Sequence, residues 1–424
     1  MRVLLISANR EEINMRTWPL GLACVASATR RAGHDVELLD LMLAADPRSE
    51  LARSIERFGP EVIGISVRNI DDQTMQDTKF FLDQVRAVIA DCRRLSRAPV
   101  VLGGAGYSIF PESSLEYLAA DMGIQGEGEE PFLTLLDRLA VHASLEGVPG
   151  LYLPGLGLQG ERKFEKDLDE LPLPETRFLS ASLLDDPDFW FPVQTRRGCP
   201  MRCSYCSTAT IEGCVFRERS PSVIVRWLGA WARLGVKRVY FVDNTFNLPP
   251  SYALALCSEM EAARLGLSWR CILYPGKLDG KLANAMVAAG CTEVSVGFES
   301  GAAPILHGMN KRFSPDQVRD ACRLLADHGI RRMGFLMLGG PGETRETALE
   351  SLAFADSLKL ETMKVTVGIR IYPYTALAKI AVDHGLIAAE DDLLLPRFYV
   401  APGLEAWLPE TVDGWMAGRP NWLR

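Results

Sequence analysis

The sequence predicts an α/β protein built from two domains of alternating strands and helices. Short apolar runs alternate with amphipathic segments along residues 1–143 and again along residues 190–385. The stretch between these regions is rich in Gly, Pro and acidic residues, which is typical of a connector. A chain of 424 residues is also longer than a usual single domain. We therefore expect two domains joined by a linker.

The first domain, residues 1–143, has the pattern of a doubly wound parallel sheet. Its predicted strands cover residues 2–9, 36–41, 62–67 and 100–102, and its longest predicted helix runs from 74 to 95. Such sheets bind ligands beyond the carboxyl ends of their strands. Polar or glycine-rich segments stand at four of these ends, namely 9–10, 66–69, 103–106 and 126–129.

The second domain, residues 190–385, contains six strand–helix units, which are too few for a closed eightfold barrel. We expect a partial (β/α)6 barrel that is open on one side. Residues 144–189 form the linker, and residues 386–424 form a C-terminal extension with three tryptophans. That extension is expected either to cover the mouth of the barrel or to pack against its side.

Composition excludes several classes of protein. The formal charge is 46 − 54 = −8, which argues against a nucleic-acid surface or a polybasic membrane anchor. No apolar run reaches the roughly 18–20 residues of a membrane span. Apart from one compact motif the cysteines are scattered, and the first residues read as a strand rather than a signal peptide. A reducing, cytoplasmic location is the expectation.

The compact motif is Cys199, Cys203 and Cys206, in the stretch Arg-Gly-Cys-Pro-Met-Arg-Cys-Ser-Tyr-Cys. Three thiolates on one loop can converge on one metal centre. An iron–sulfur cube normally takes four protein thiolates, so three would leave one iron open to another ligand. The alternative is a structural zinc site with Cys214 as the fourth ligand.

The Cys-x3-Cys-x2-Cys spacing, with Tyr205 just before the last cysteine, resembles the signature of the radical S-adenosylmethionine (radical SAM) superfamily. This resemblance implies a [4Fe–4S] cluster on the three cysteines, with SAM chelating the fourth iron. It also implies that the reduced cluster cleaves SAM to a 5′-deoxyadenosyl radical. The partial barrel predicted for this domain fits the same superfamily.

The resemblance further implies a SAM site at the carboxyl ends of the barrel strands. The residues expected to contact SAM are Tyr205, Asp243, Asn244, Glu299, Ser300, Gly339, Gly340 and Pro341. Many families of the superfamily have Gly-Gly-Glu where this chain has Asp243-Asn244. The competing interpretation is local: Asp243 and Ser300 as helix caps, and Gly342-Glu343-Thr344 as a helix-entry turn. Arg270 and Arg370 are candidates to face the barrel interior.

A Rossmann-like domain directly before the three-cysteine loop resembles the cobalamin-binding domain of B12-dependent radical SAM enzymes. The residues expected by this resemblance to contact cobalamin are Ser66, Arg68, Asn69, Gly103, Gly104, Ala105, Gly126 and Glu127. Residues 9–19 contain no histidine, unlike the Asp-x-His-x-x-Gly loop of methionine synthase-type domains. The lower axial ligand of cobalt is therefore unassigned, and a domain that kept its fold but lost cobalamin is an alternative.

Together these resemblances imply a cobalamin-dependent radical SAM enzyme that methylates an unactivated carbon of a small molecule or natural product. The implied route uses a 5′-deoxyadenosyl radical and methylcobalamin, with flavodoxin or ferredoxin as the external electron donor. A second hypothesis is a radical rearrangement, oxidation or cyclisation without methyl transfer. A third is a cobalamin-binding or metal-stabilised regulatory protein without turnover.

Overall fold

The N-terminal domain is built on one twisted sheet. The structure, a computed structural model, describes residues 1–12 and 16–424. Within them the strands of this sheet are β1 (Arg2–Ser7), β2 (Asp35–Asp40), β3 (Val62–Ser66), β4 (Val100–Gly103), β5 (Met122–Ile124), β6 (Leu151–Leu153) and β7 (Gly157–Leu158). Their spatial order is β2-β1-β3-β4-β5-β6-β7. The first five are parallel, and β6 and β7 add an antiparallel hairpin.

Helices cover both faces of this sheet, as a doubly wound fold requires. They are α1 (Leu20–Arg31), α2 (Pro47–Phe58), α3 (Leu82–Leu95), α4 (Ala105–Ile109), α5 (Pro111–Leu118) and α6 (Glu129–Ala140). Helix α2 shows why such segments are helical. Asp46 caps its first turn by accepting from two backbone N–H groups, Pro47 opens it, and Gly59 ends it in the left-handed conformation.

Two N-terminal boundaries differ from the sequence prediction. The helix expected from residue 74 begins only at Leu82, because residues 70–81 form a loop. The Asp72 carboxylate holds that loop by accepting from the backbone N–H groups of Thr74 and Lys79 at 3.1 and 3.2 Å. The hairpin β6–β7 extends the sheet to residue 158, inside the segment predicted as linker.

The second domain is an open parallel barrel, as predicted. Its strands and associated short pairs are β8 (Phe191–Val193), β9 (Arg196–Arg197), β10 (Arg217–Glu218), β11 (Arg238–Phe241), β12 (Ser268–Leu273), β13 (Cys291–Glu299), β14 (Arg331–Leu338), β15 (Thr362–Val367), β16 (Ile369–Arg370), β17 (Phe398–Tyr399) and β18 (Trp422–Leu423). The barrel sheet has the order β18-β15-β14-β13-β12-β11-β8, so its two edge strands are β8 and β18. The strand predicted to run to residue 372 is interrupted at Gly368, whose φ is +78°.

The helices of the second domain follow their strands in the expected alternation. They are α7 (Thr208–Glu212), α8 (Pro221–Arg233), α9 (Pro250–Ala263), α10 (Gly280–Ala288), α11 (Ala303–Gly308), α12 (Pro315–Asp327), α13 (Arg345–Ser357), α14 (Ala376–Asp383) and α15 (Trp407–Met416). Short 3₁₀ turns lie at Thr176–Phe178, Ala181–Leu183 and Pro275–Lys277. The mixed α/β architecture and its two domain types are confirmed.

The barrel strands have two unequal faces. Along β14 buried residues alternate with half-exposed ones. In β13 the buried residue Phe298 contacts Phe354 of α13, with ring centroids 5.7 Å apart, so the buried set faces the helices. The half-exposed set, which includes Ile272, Phe335 and Met337, therefore faces the interior of the barrel. That interior is less completely filled than the layer under the helices.

A buried ion pair joins the two domains. Arg370 donates from Nε to Asp71 at 2.8 Å, and the two side chains are only 2% and 1% exposed. Arg370 also donates to the backbone carbonyls of Ile371 and Leu393. One guanidinium thus connects the N-terminal loop 70–81, strand β16 and the C-terminal extension. Arg370 was a candidate to face the barrel interior, but it lies on β16, outside the barrel sheet, and pairs with the N-terminal domain.

The C-terminal extension completes the edge of the barrel. Strand β18 pairs in parallel with β15, and β17 pairs antiparallel with β16. The backbone N–H of Ala401 donates to the carbonyl of Gly339 at 2.8 Å. The extension therefore packs against the β15 side of the barrel and also reaches the end of β14. Among the described helices, none is long and apolar enough to cross a membrane.

We expect Asp71→Asn to lower the free energy of unfolding by about 2–4 kcal/mol, because it leaves a buried guanidinium without its carboxylate. Urea denaturation monitored by tryptophan fluorescence checks this. Asp316→Asn is the control, since Asp316 pairs with Arg319 while its side chain is 85% exposed, and its change should stay below about 0.5 kcal/mol. Equal effects of the two substitutions would contradict the assignment of Asp71 as the buried link.

Candidate cofactor site at the domain junction

The three-cysteine loop lies between β9 and α7, at the carboxyl end of the barrel. Cys199, Cys203 and Cys206 are free and half-buried. Gly198 has φ +87°, and a Cβ there would lie 2.0 Å from the carbonyl oxygen of Val215. Only glycine fits this approach, so the segment 213–215 packs directly against the start of the loop. The N–H of Cys199 donates to the carbonyl of Gly213 at 3.1 Å.

The three thiol groups lie close enough to interact electrostatically. Burial raises the pKa of Cys199 to about 11, and the neighbouring thiols of Cys206 and Cys203 raise it further by charge repulsion. Within residues 1–12 and 16–424, no group of three or more His, Cys, Asp or Glu side chains is arranged to hold a single metal ion. The thiol Cys214 of the zinc alternative is exposed. In an iron–sulfur cube each iron takes one thiolate, so this donor set fits a cluster better than a zinc ion.

The far side of the loop is held by the segment after α11. The N–H of Ser204 donates to the carbonyl of Met309 at 3.1 Å, and the Asn310 amide donates to the carbonyl of Arg202 at 2.7 Å. Arg202 itself has φ +53°. The loop is therefore fixed at both ends before any cofactor binds.

Asp243, predicted to contact SAM, holds the start of the loop instead. Its Oδ1 accepts from the backbone N–H groups of Thr195 and Arg196 at 2.7 and 3.0 Å, and its Oδ2 accepts from the Thr195 hydroxyl at 2.5 Å. The Arg196 guanidinium lies 3.2 Å from the same oxygen, and both side chains are 2% exposed. The carboxylate has no free edge, so a SAM contact by Asp243 stays a prediction that this geometry does not favour.

Asn244 is linked to the cysteine loop by hydrogen bonds to Glu212. Its amide donates to Glu212 Oε2 at 2.9 Å, and the same oxygen accepts from the N–H of Gly198 at 3.1 Å. Gln194 donates to the other oxygen at 2.6 Å. Sequence reasoning missed Glu212, because nothing in its local pattern distinguishes it from an ordinary helix residue.

A buried charged group lies beside Cys203. Lys311 Nζ is 3.1 Å from Glu299 Oε1 and 5.3 Å from the centre of the Tyr205 ring. Burial alone would lower the pKa of Lys311, but Glu299, Tyr205 and Cys203 together outweigh burial, so the lysine pKa is raised. Glu299 has φ +63°, an uncommon conformation for its type. Glu299 and Tyr205, which were both predicted to contact SAM, thus lie together beside Cys203. Lys311 lies next to them and was not predicted.

Ser300, the other residue predicted on this strand, is fully buried in a polar contact with α13. Its hydroxyl lies 2.8 Å from the Ser351 hydroxyl and accepts from the N–H of Ala302 at 3.1 Å. The helix-cap interpretation does not hold for Ser300, because the N-cap residue of α11 is Ala302 and no side chain caps that helix. A SAM contact by Ser300 stays a prediction.

The glycine segment after β14 is shaped by Glu343. One carboxylate oxygen accepts from the N–H groups of Gly339 and Gly340, and the other is buried without a hydrogen-bond partner. Gly339 has φ +97°. Thr344 caps α13 with a capping box, as the helix-entry interpretation expected. Gly339 and Gly340 are buried, Pro341 is half-buried, and a SAM contact by these three residues stays a prediction.

A small pocket lies at the carboxyl edge of the N-terminal sheet, where sheets of this kind bind their ligands. The strand order reverses between β1 and β3, and a shallow pocket lined by residues 8–11 and 66–69 lies at that point. A Cβ on Gly104 would lie 2.6 Å from the carbonyl of Val67, and Gly106 is similarly close to Arg68. These glycines let the start of α4 pack closely against the residues that follow β3. Burial lowers the pKa of the Arg68 guanidinium that lines the pocket.

The structure places the residues predicted for cobalamin at two locations. Ser66, Arg68, Asn69 and the segment Gly103–Ala105 lie around this pocket or just behind it. Gly126 and Glu127 lie instead against the second domain, where Glu127 accepts from Arg217 at 2.5 Å. The loop without histidine is described only at 9–12 and 16–19, and residues 13–15 of that prediction lie outside the described residues.

Family models match both halves of the chain. The radical SAM superfamily model matches residues 193–355, and the B12-binding domain model matches residues 6–136. The chain is a radical SAM enzyme with a B12-binding domain. Its cofactor classes are accordingly an iron–sulfur cluster, SAM and cobalamin.

This protein resembles two curated proteins along most of its length. An uncharacterised methyltransferase of Pyrococcus horikoshii is 29% identical over 398 residues, covering 91% of this chain and 84% of that protein. The tryptophan 2-C-methyltransferase of Streptomyces laurentii is 25% identical over 437 residues, covering 88% and 73%. In fold, the chain resembles the radical SAM methyltransferase TsrM of Kitasatospora setae, solved with cobalamin and a [4Fe–4S] cluster. The TM-score is 0.87 at 22% identity, covering 100% of this chain and 90% of that one.

We expect Glu343→Gln to flatten the pH dependence of stability. Burial raises the pKa of Glu343 to about 7 against the two backbone N–H bonds, so the folded state favours the protonated acid. Wild-type stability should therefore fall by about 2–3 kcal/mol as the pH rises from about 4.5 to about 7 through this group, and the variant should lack that component.

Urea unfolding of both proteins between about pH 5 and pH 8 measures the difference. Glu350→Gln is the matched control, because Glu350 lies exposed on α13, the helix that follows Glu343. A variant curve parallel to wild type across this range would exclude Glu343 as a group that titrates near neutrality.

Proposed function

We propose that this radical SAM enzyme is a cobalamin-dependent methyltransferase that transfers a methyl group to carbon in a small-molecule substrate. One observation carries the proposal: the cysteine loop lies against the carboxyl end of the N-terminal sheet, where ligands of such sheets bind. Two cofactor sites at one junction suit transfer between them. The names of the two similar curated methyltransferases support the same chemistry.

The bound cofactors would supply a methyl group and a 5′-deoxyadenosyl radical, both from SAM, with cobalamin as the methyl carrier. The protein's own residues would do three things. Cys199, Cys203 and Cys206 would hold three irons and leave the fourth to SAM. Glu299 and Lys311 would give opposite charges for the amino and carboxylate groups of SAM. The glycine segment of residues 339–341, which has no side chains at Gly339 and Gly340, would pack against its adenine.

The half-exposed interior of the barrel is the proposed substrate cavity. Ile272, Phe335 and Met337 give it an apolar part, while Ser295 and the Arg270–Glu293 ion pair add polar groups. Such a surface suits a small molecule with an apolar or aromatic body. The buried Asp71–Arg370 pair closes one side of the junction, which helps to exclude water from a radical reaction. An external electron donor such as flavodoxin or ferredoxin is part of the proposal, because the sequence has no second compact cysteine motif that could hold another cluster.

Cys203→Ala is expected to abolish the EPR signal of the reduced cluster and all SAM cleavage. The substitution removes one of three thiolates while leaving the loop's backbone contacts in place. Cys214→Ala is the matched control: it is a thiol near the same loop but exposed, and it should keep the signal and the iron content. Retained SAM cleavage in Cys203→Ala would remove the cluster assignment.

A substrate-free experiment tests methyl transfer. Anaerobic, reduced enzyme is incubated with cobalamin and SAM carrying a deuterated methyl group, and products are identified by mass spectrometry. Loss of the methyl group from SAM converts it to S-adenosylhomocysteine, which should form only when cobalamin is present. Formation of 5′-deoxyadenosine and methionine without S-adenosylhomocysteine would favour the radical rearrangement, oxidation or cyclisation instead. Cofactor binding with no SAM-derived product at all would favour the regulatory protein.

A further inference from the structure

We propose that Glu127 and Glu129, at the end of β5, are positioning residues for the cysteine loop. They hold Arg197 and Arg217, and so fix the backbone that carries Cys199. The inference rests on the proposed function in one respect, that the loop binds a cluster. It assigns to the N-terminal domain a role in holding the cluster that is separate from binding cobalamin.

The Glu129–Arg197 contact is a two-pronged ion pair. Arg197 Nη2 donates to Glu129 Oε1 at 2.5 Å, and Nη1 donates to Oε2 at 3.3 Å. The side chains are 3% and 11% exposed. Burial alone would raise the pKa of Glu129, but the guanidinium outweighs it and holds that pKa below its usual value. Parallel bonds between two planar groups fix orientation as well as distance.

Glu127 adds a second contact of the same kind. Its Oε1 accepts from Arg217 at 2.5 Å and lies 3.4 Å from Arg197. Its Oε2 accepts from the backbone N–H of Glu165 in the linker at 3.0 Å. Arg217 also donates to the carbonyl of Glu212 at 2.8 Å, at the end of the helix that follows the loop. Both oxygens of Glu127 are therefore occupied by groups outside the N-terminal sheet.

These contacts lead directly to the cysteines. Arg197 and Arg217 are opposite one another in the two-stranded pair β9–β10. Arg197 stands two residues before Cys199, and the intervening Gly198 is packed against Val215. Glu212 accepts from the N–H of Gly198. A shift of the arginines away from the two carboxylates would therefore move the backbone that carries the first thiolate.

The same geometry argues against a corrinoid role for Glu127. Its carboxylate is 8% exposed and is paired with two guanidinium groups. The sequence pattern Gly-Glu-Gly-Glu suggested a ligand-binding strand end. In the structure these carboxylates instead pair with arginines of the neighbouring domain. Gly126 has φ +92°, and the turn at this residue directs both glutamates toward the second domain.

Glu129→Gln tests the proposal. The substitution leaves Arg197 charged and buried without its carboxylate, which strongly destabilises such pairs. After anaerobic reconstitution, iron release to a chelator should be about tenfold faster than in wild type, and the EPR line shape of the reduced cluster should change. Cobalamin affinity, measured by optical titration, should stay within about twofold of wild type. Glu130→Gln is the matched control, since Glu130 is the exposed next residue, and it should release iron at the wild-type rate.

Should Glu129→Gln fail to fold, Glu127→Gln provides a second test, because it keeps the Glu129–Arg197 pair. Its effect on iron release should be smaller and in the same direction. Wild-type iron release in both variants, or weakened cobalamin binding in either, would overturn the proposal. A wild-type protein that assembles no cluster would instead refute the proposed function, so the two failures are distinguishable.

Discussion

Two consecutive arginines on one short strand connect the cysteine loop to both domains. Strand residues alternate in direction, so Arg196 and Arg197 point to opposite sides of β9. Arg196 is buried in the barrel beside Asp243, and Arg197 is buried against Glu129 of the N-terminal domain. Each charge is paired where it is taken out of water, since an unpaired buried charge would cost several kcal/mol. The loop that follows is therefore placed by the packing of the whole molecule rather than by its own residues.

The second buried contact between the domains, Asp71–Arg370, lies on a different part of the junction. Arg370 also contacts the rings of Phe110 and Tyr372, at 5.6 and 5.2 Å from their centres. The N-terminal domain supplies Asp71 and Phe110, and the barrel supplies the other two residues. Two separate sets of buried polar contacts resist rotation of one domain on the other far better than one would. A junction that must hold two cofactors in register needs that rigidity.

The sequence predicted the elements but not the pairings between them. Cysteine spacing, strand–helix alternation and glycine-rich strand ends are local signals, and they located the loop, both domain types and the candidate SAM segments. The partners of the loop are remote: Arg197 and Glu129 are 68 residues apart, and Arg370 and Asp71 are 299 apart. No periodicity links such positions. Prediction also assigned Asp243 and Glu127 to ligands, because a carboxylate at a strand end looks the same in sequence whether its partner is a cofactor or an arginine.

The same reasoning explains why the substrate is harder to read than the cofactors. The cofactor segments depend on backbone shape and on thiolates, which leave glycines and cysteines at fixed spacings. The barrel interior depends on side chains from different strands, such as Ile272 of β12 and Phe335 of β14. Each of them belongs to a strand in which buried and half-exposed residues alternate, and that alternation is also needed for packing. Only the fold separates the residues that face the helices from those that face the barrel interior. The face toward the helices is filled, and the opposite face is left partly open. The proposed substrate cavity therefore corresponds to the sheet face whose packing is less complete.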